Sequence, residues 1–313
     1  MVFVKEVGRM PFRLVYQHAQ CLYANTKKIP EHKKAKILNN AQTVTYGYLN
    51  KKYRSFIVDR NKEYTAGEKR ENFPIWILWW QGEDHAPEMV RRCIDSVRKN
   101  ANGHPVYVID SNNYRTFIKL EQHIIDKLNA KVISLTHFSD IIRMNLLAEH
   151  GGFWMDSTIF CTKSIGGDEF NHPIFTGRNP GADLTNISLW NWTGFAIYGW
   201  KGGKLFCLMR DFFNQYWHDH ERLIDYFLID YGIRLIYDTC PDIMNQINAI
   251  PVNNQDLYFY QQHFNDAYDS NICKQEPGNT WLYKLSWKQK YAMVTEHGEK
   301  TLYAAWCEER DIP

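Results

Sequence analysis

The sequence has neither a long apolar run nor a secretory leader. Its longest apolar stretch, residues 73–80, falls far short of the ~18 residues that a membrane-spanning helix requires. Residues 1–6 lack the basic start and the apolar segment of a signal peptide. Seven cysteines are scattered along the chain without a C-x-x-C pair, which argues against a zinc or redox centre. We therefore expect a cytoplasmic protein with free thiols and no membrane span.

Repeats, low-complexity segments and the motifs of nucleic-acid-binding proteins are also missing. No zinc finger, RNP-type motif or helix-turn-helix pattern accompanies the basic residues, so we expect no nucleic-acid partner. What is present is a hydrophobic content of 44% in 313 residues, which can bury one large core or two medium ones. This composition is typical of a folded, enzyme-sized protein.

Charge is distributed unevenly along the chain. Residues 1–70 hold 15 Lys and Arg against 5 Asp and Glu, a charge of +10, whereas residues 71–313 hold 22 against 30, a charge of −8. A basic arm on an acidic body favours a polyanionic neighbour, such as a pyrophosphate-bearing acceptor or anionic lipid on the inner face of the cell membrane. A solvated helical face explains the same charges equally well. Both interpretations stay open.

The first part of the chain alternates strand and helix patterns. Residues 74–80 form a continuous apolar, aromatic run that predicts a buried parallel strand. Residues 87–100 have the spacing of an amphipathic helix, and residues 104–110 predict a second strand. Such a βαβ unit implies a parallel sheet that binds ligands at the carboxyl ends of its strands. Residues 79–82 should lie at that edge.

The later segments extend this pattern to an α/β fold with a mostly parallel central sheet. A helix is predicted over residues 139–150, followed by strands over 159–161, 173–176 and 188–198 and by helices beyond Gly203. Three regions result: a basic helical N-terminal arm (1–70), a ligand-binding core (71–200) and a helical C-terminal region (201–313).

One stretch concentrates the residues that carry chemistry. Asp140 and Arg143 are three positions apart on the predicted helix and therefore share one face. The pair Gly151-Gly152 allows the tight turn that directs the next strand, so that Asp156 emerges at the strand's end. A carboxylate at that place can bind Mg²⁺ or Mn²⁺, ions that usually take one or two protein carboxylates plus substrate phosphates. Each residue alone fits a surface ion pair or a strand cap, but the joint pattern favours a site.

The same stretch resembles a known family. The pattern S-D-x-x-R at residues 139–143, followed by G-G-x-W-x-D-x-T at 151–158, is similar to the core of the capsular polysaccharide synthesis family. More distantly it resembles glycosyltransferase family 32 and the bacterial toxin glucosyltransferases. Residues 79–96 look like the family's first strand and helix, and residues 1–70 lie outside the resemblance. It implies a GT-A, Rossmann-like fold, a UDP-sugar donor and retention of anomeric configuration.

The resemblance also implies roles for individual residues. Trp80, with Trp79 as second choice, would stack on uracil, and Asp140 and Arg143 would hold the donor's sugar and phosphate. Asp156 corresponds to the first acid of a D-x-D motif whose second acid is replaced by Thr158, which makes the affinity for metal uncertain. The complete donor-binding set is Trp79, Trp80, Gln81, Asp140, Arg143, Asp156, Ser157, Thr158, Trp287 and Lys288, with Asp156 also as the ligand of Mn²⁺ or Mg²⁺.

Catalytic candidates are Asp156, Asn191 and Asp225. Asn191 falls where GT-A enzymes place groups around the anomeric carbon, although the tryptophan beside it fits a structural role equally well. The pairs Asp225-Tyr226 and Asp230-Tyr231 lie on a predicted helix and could orient an acceptor hydroxyl, and solvated acids explain them as well. Trp287 and Lys288 belong to a segment that resembles one closing over the pyrophosphate, where a lysine would offset charge on the leaving UDP.

The function these patterns favour is hexosyl transfer. We expect galactose or glucose to move from a UDP-hexose to a glycan or lipid-linked oligosaccharide in capsule or exopolysaccharide synthesis. A glycoside hydrolase also uses paired carboxylates, and a non-catalytic carbohydrate-binding protein or a toxin-like transferase acting on protein would keep part of the pattern. The sequence does not distinguish the two hexoses, the acceptor or the linkage.

Overall fold

The computed structural model describes residues 29–182, 185–269 and 279–308, together with Leu14, Tyr16, Ala19 and Gln20. Most of the N-terminal third of the predicted basic arm therefore lies outside the described residues. The five cysteines within them are free thiols. No helix among these residues combines the length and apolarity needed to cross a bilayer.

The helices and strands follow one another in mixed order. The helices described in full are α1 (Glu31–Asn61), α2 (Glu88–Lys99), α3 (Tyr114–Phe117), α4 (Gln122–Asn129), α5 (Leu135–His150), α6 (Lys204–Asp219), α7 (Leu228–Thr239), α8 (Pro241–Asn248), α9 (Phe259–His263) and α10 (Leu302–Glu308). The strands are β1 (Ile75–Leu78), β2 (Val106–Ile109), β3 (Gly152–Met155), β4 (Ile159–Cys161), β5 (Ile174–Thr176), β6 (Ala196–Gly199) and β7 (Leu282–Lys284).

A five-stranded sheet in the order β2-β1-β3-β6-β5 forms the centre of the molecule. Strands β1, β2 and β3 are parallel, β6 is antiparallel to β3, and β5 is antiparallel to β6. Four strands thus run in one direction and β6 opposes them. The predicted α/β fold with a mostly parallel central sheet is confirmed.

The interior strand β1 shows why the apolar run forms this sheet. Ile75, Trp76 and Ile77 are all buried, because β2 and β3 pair with β1 on either side and the strand's side chains belong to the main hydrophobic core. Helix α2 connects β1 to β2 and directs its apolar residues into the core. The predicted strand, helix and strand are therefore present, each ending within two residues of its expected bounds.

Helix α5 carries the S-D-x-x-R pattern through the core. Ser134 caps its start by accepting a hydrogen bond from the His137 N–H (3.3 Å). Its end is set by Gly151 and Gly152, whose φ angles of 66° and 102° favour glycine. A Cβ on Gly152 would collide with the carbonyl oxygen of Pro74, the residue before β1. This glycine therefore lets β3 pair closely with β1.

Helix α1 packs against the body of the protein along one face. Buried residues recur at every fourth position, among them Leu49, Tyr53 and Ile57, and all three belong to the main core. The Tyr53 hydroxyl donates to Asp219 (3.1 Å), and Arg60 pairs with the buried Asp211. Two basic residues of α1, Lys52 and Arg60, are thus paired with acids of helix α6.

The strand predicted over residues 188–198 is wrong for most of its length. Only Ala196–Gly199 is a strand, and Leu189 and Trp190 have positive φ angles of 48° and 57°. Ser188 explains the difference, because its hydroxyl accepts from the Trp190 N–H and its carbonyl accepts from the Asn191 N–H and side chain. These local hydrogen bonds replace the ladder of a strand.

A second, two-stranded sheet joins β4 to β7 in antiparallel register. Ile159 lies opposite Lys284, so β7 runs directly beside the segment that follows Asp156. An aromatic cluster centred on Trp306, Phe264 and Tyr260 supports this sheet. The C-terminal part of the chain is thereby brought to the carboxyl end of β3.

Candidate active site at the carboxyl edge of the sheet

The carboxyl ends of β1 and β3 lie at the same edge, since the two strands are parallel neighbours. Trp79 follows β1, and Asp156 follows β3. The backbone of Asp156 is fixed by its N–H, which donates to the Phe195 carbonyl (2.8 Å), and by its carbonyl, which accepts from the Ile159 N–H (2.9 Å). The carboxylate is therefore held at the place where α/β proteins bind ligands.

Arg143 joins the two acids of the predicted motif. Its Nη1 donates to Asp140 Oδ1 (2.9 Å) and its Nη2 donates to Asp156 Oδ1 (3.1 Å). The guanidinium carbon lies 4.8 Å from the centre of the Trp154 ring, within the range of a cation–π contact. Arg143 is only 5% exposed. The structure thus brings Asp140, Arg143 and Asp156 together in one buried network.

Lys284, which the sequence analysis missed, completes this network. Its Nζ donates to Asp156 Oδ2 (2.9 Å) and to Thr158 Oγ1 (2.7 Å). The lysine predicted for this role, Lys288, instead has its ammonium 5.8 Å from the centre of the Trp287 ring. The available signal was weak: Lys284 ends a three-residue strand whose pairing with β4 involves residues far apart in sequence.

The two cations control the ionisation of Asp156. Burial is the largest single influence and raises the pKa of this carboxyl, but the charges of Lys284 and Arg143 lower it, as do hydrogen bonds from Trp154 and Lys284. Together these favourable interactions prevail and hold the pKa of Asp156 below its ordinary value of 3.8. Asp156 is therefore a carboxylate at neutral pH.

His137 lies beside Asp140 on helix α5. Its Nε2 accepts a hydrogen bond from the Trp217 indole (2.9 Å), which places the proton of the neutral imidazole on Nδ1. That nitrogen faces Asp140 Oδ2 at 3.4 Å. The two groups are thus close without forming a hydrogen bond, and His137 packs beside an acid of the site.

Asp230, at the start of α7, is a second acid with an unusual environment. It is 8% exposed and accepts a hydrogen bond from the buried Trp192 indole (2.9 Å). Burial is the largest influence and raises the pKa of Asp230; the charges of Asp140 and Asp225 also raise it, whereas the Trp192 hydrogen bond and Arg143 lower it, and the net pKa is about 7. Near neutral pH this carboxyl exchanges its proton beside the Asp140–Arg143 pair.

Replacing Asp230 with asparagine should flatten the pH dependence of stability. Unfolded Asp230 loses its proton near pH 3.8 and folded Asp230 near pH 7, so the free energy of unfolding falls as pH rises between these values. The fall amounts to at most about 4 kcal/mol. Asparagine cannot ionise and can still accept from Trp192. Melting temperatures from pH 4 to 8 should therefore decline less in the variant.

Asp242 offers the matched control for this measurement. It is an exposed acid that pairs with Lys204 (2.7 Å). Asp242→Asn should follow the wild-type profile, and an Asp230→Asn profile parallel to both would contradict the raised pKa.

Aromatic side chains line the edge next to the ionic network. Trp79 contacts Trp287 edge to face (5.6 Å between ring centres), whereas Trp80 packs on Tyr114 and Phe138 (5.6 and 5.5 Å). Within the described residues, the indole N–H of Trp79 and the Nε of Arg143 are buried without a hydrogen-bond partner. Buried, unpaired donors are costly, so a ligand at this edge that accepted hydrogen bonds from these two N–H groups would be favoured.

The remaining predicted residues take different positions. Gln81 is exposed and Ser157 is half-buried in the turn between β3 and β4. Asn191 donates its side-chain amide to the Ser188 carbonyl (3.0 Å), and Asp225 accepts from the Phe227 N–H (2.8 Å). These two catalytic candidates both stabilise local turns.

Tyr226, which follows the candidate Asp225 in the sequence, is an exposed aromatic residue close enough to feel the charges of the site. Tyr226 is 64% exposed. Partial burial, then the charges of Asp140 and Asp156, raise the pKa of its hydroxyl. Its ring contacts that of Phe227 edge to face (5.0 Å), and Phe227 is also exposed. The network thus opens toward an aromatic surface.

The donor set around Asp156 does not match a divalent cation. Its Oδ1 accepts from Arg143 and Trp154, and its Oδ2 accepts from Lys284. In the part of the chain that the structure describes, no three His, Cys, Asp or Glu side chains group together as metal ligands. A divalent cation at Asp156 would lie directly beside the ammonium of Lys284 and the guanidinium of Arg143, which repel it. The metal expected there stays a prediction.

An α/β fold that clusters carboxylates and cationic side chains at the carboxyl edge of its sheet is typical of enzymes that bind a ligand there. The family model described as capsular polysaccharide synthesis protein matches residues 25–305, and the chain belongs to that family. The resemblance carried by residues 139–158 is therefore confirmed, and the match also includes α1.

The chain was also compared with curated proteins and with solved structures. No curated protein matches the chain. Among solved structures, it is similar to one described as PaToxG glycosyltransferase, with 16% sequence identity and a TM-score of 0.39 over 65% of this chain and 83% of that chain.

Proposed function

We propose that the protein is a retaining hexosyltransferase with a GT-A core. It would move galactose or glucose from a UDP-hexose to a lipid-linked oligosaccharide during capsule or exopolysaccharide synthesis. The observation that carries this proposal is the network of Asp140, Arg143, Asp156 and Lys284 at the carboxyl edge of the sheet. Membership of the capsular polysaccharide synthesis family supports it.

Each of the three parts of a UDP-hexose donor, the diphosphate, the sugar and the uracil, has suitable side chains at this edge of the sheet. Arg143 offers a planar donor group suited to phosphate oxygens, and Lys284 adds a second positive charge. Carboxylates such as Asp140 suit sugar hydroxyls, which donate hydrogen bonds. The uracil ring would stack on Trp79 or Trp80, because stacking of a nucleic-acid base on an aromatic side chain contributes about 1–3 kcal/mol.

The acceptor would approach from the side of α7. Tyr226 and Phe227 are exposed aromatic residues, and such rings provide apolar faces on which a sugar can pack. Asp230 lies nearby with a pKa of about 7, which is close to the ideal for exchanging a proton at neutral pH. The acceptor hydroxyl would therefore meet groups able to hold it and to orient its proton.

The deciding experiment measures UDP release from UDP-glucose and UDP-galactose, with and without lipid-linked oligosaccharide. A transferase should release UDP and be stabilised by UDP alone, by about 2.7 kcal/mol at a hundred times the dissociation constant. A carbohydrate-binding protein would respond only to glycan, a hydrolase would release sugar without a nucleotide donor, and a toxin-like transferase would label protein. Any of these three results would contradict the proposal.

The same assay tests the membrane interpretation of the basic arm. We propose that an anionic surface concentrates the enzyme through residues 1–70. With the acceptor carried in anionic vesicles, turnover should exceed that in neutral vesicles, and the difference should shrink as salt screens the attraction. Equal turnover in both kinds of vesicle would contradict membrane binding and would leave the other interpretation, in which the basic residues of 1–70 form a solvated helical face.

A further inference from the structure

We propose that Lys284 and Arg143 replace the divalent cation at this site, so that sugar transfer proceeds without Mn²⁺ or Mg²⁺. This inference rests on the proposed function. The ammonium of Lys284 lies 2.9 Å from Asp156 Oδ2 and 2.7 Å from Thr158 Oγ1. It therefore occupies the position between the two side chains of the D-x-T segment through which a metal ion would be held.

The surroundings of Asp156 favour the ammonium over a metal ion. Mg²⁺ requires near-octahedral oxygen coordination, but both Asp156 oxygens already accept from Arg143, Trp154 and Lys284. A divalent cation would also be placed next to two positive side chains. The same arrangement explains why Thr158 can stand where the D-x-D motif has its second aspartate. A threonine hydroxyl can accept a hydrogen bond from an ammonium and needs no negative charge to do so.

The fold fixes Lys284 in place before any ligand binds. Its N–H donates to the Leu257 carbonyl (2.7 Å), and the next residue, Leu285, donates to the Thr158 carbonyl (2.9 Å). Its Nζ also lies 5.3 Å from the centre of the Phe195 ring. A charge whose backbone is held by β4 on one side and by the Leu257 carbonyl on the other needs little reorganisation when the reaction occurs.

In the reaction, the bond between the anomeric carbon and the β-phosphate oxygen breaks, and its electron pair stays on that oxygen. A bond forms between the anomeric carbon and the acceptor hydroxyl oxygen, whose proton ends on the released diphosphate. Asp156 and Thr158 accept hydrogen bonds from two of the three N–H groups of the Lys284 ammonium, and the third N–H has no acceptor among the described residues. This third N–H can donate a hydrogen bond to the departing oxygen, and Arg143 contributes the second positive charge.

The test compares wild-type protein, Lys284→Met and Lys284→Arg in EDTA and in Mn²⁺. Lys204→Met is the control, because Lys204 has a similarly buried ammonium that pairs with Asp242 beyond the opposite end of the sheet. UDP release and UDP affinity are measured in both solutions. Binding of Mn²⁺ is followed separately by the electron paramagnetic resonance of the free ion.

Wild-type protein and Lys204→Met should keep full turnover and UDP affinity in EDTA and should bind no Mn²⁺. Lys284→Met should lose turnover about a hundredfold in EDTA. It should also gain Mn²⁺ binding, because Asp156 and Thr158 lose their shared donor, and added Mn²⁺ should restore part of the turnover. Lys284→Arg keeps a cation and should remain metal-independent.

Two results would overturn the inference. Turnover by the wild type that requires Mn²⁺ or Mg²⁺ would show that a metal, not Lys284, meets the leaving group. If Lys284→Met failed to fold, the wild type would still decide the matter: more Mn²⁺ bound by the wild type with UDP than by the same concentration of UDP alone would also overturn the inference. Absence of UDP binding and UDP release in both solutions would instead contradict the proposed function, and this inference with it.

Discussion

Replacement of Arg143 by alanine is expected to reduce kcat/KM for UDP-hexose about a thousandfold and to destabilise the protein by about 3 kcal/mol. The guanidinium is 5% exposed and donates through different nitrogens to Asp140 and Asp156. Its loss would leave two carboxylates facing the buried site with Lys284 as the remaining cation. Removing one partner from a buried ion pair costs more than the pair contributes, because the other charge stays desolvated.

The conservative variant separates charge from geometry. Arg143→Lys keeps the positive charge but replaces the planar donor fork with a single ammonium, which cannot reach both carboxylates in the same way. Turnover should fall about a hundredfold with a smaller loss of stability. Arg91→Lys, at an exposed pair with Glu88 on α2, is the control and should change neither quantity. Initial rates of UDP release and thermal unfolding measure both effects. Near-wild-type rates in Arg143→Ala would remove this residue from the donor site.

Replacement of Asp156 by asparagine is also expected to lower turnover about a thousandfold, with a loss of stability of about 2 kcal/mol at neutral pH. Arg143 and Trp154 donate to one carboxylate oxygen, and Lys284 donates to the other. Whichever way the amide turned, its NH₂ group would face one of these donors. The variant therefore loses a charge and also gains a repulsive contact.

The pH dependence of stability gives an independent measure of the same residue. The pKa of Asp156 is lowered in the fold, so its contribution to stability is present above pH 3.8 and is lost as pH falls through the folded pKa. Asp156→Asn should lack this acid-sensitive contribution. Asp238, which accepts from Tyr46 and Arg234 on a half-buried surface, supplies the control. Asp238→Asn should lose stability yet keep turnover; equal turnover in both variants would show that Asp156 is merely structural.

The parts of the site that could be predicted from sequence depend on short-range geometry. Asp140 and Arg143 lie one helical turn apart, and the Gly151-Gly152 turn directs the chain to Asp156 within the following residues. Helix periodicity and the conformational freedom of glycine are enough to place these groups together. The βαβ unit was predictable for the same reason, because each of its elements shows its own periodicity.

The missed features, which are the position of Lys284 and the raised pKa of Asp230, depend on contacts between distant segments. Lys284 reaches Asp156 only because β7 pairs with β4, and a three-residue strand shows no register in its sequence. Asp230 resembles a solvated acid on a helix until Trp192 covers it. Its altered pKa comes from that burial, which no local pattern reports. The turn at Ser188 misled the strand prediction because hydrogen bonding by polar side chains outweighed apolar spacing.

The pairing of β7 with β4 also sets the order in which the site can be assembled. The contact between Lys284 and Asp156 joins residues 128 positions apart. During translation at about 5–20 residues per second, roughly 6 to 26 seconds separate the appearance of the carboxylate from that of its ammonium partner. A nascent chain can therefore form the sheet and hold Asp140, Arg143 and Asp156 while the ammonium of Lys284 is still missing. The network proposed to carry sugar transfer is complete only late in synthesis.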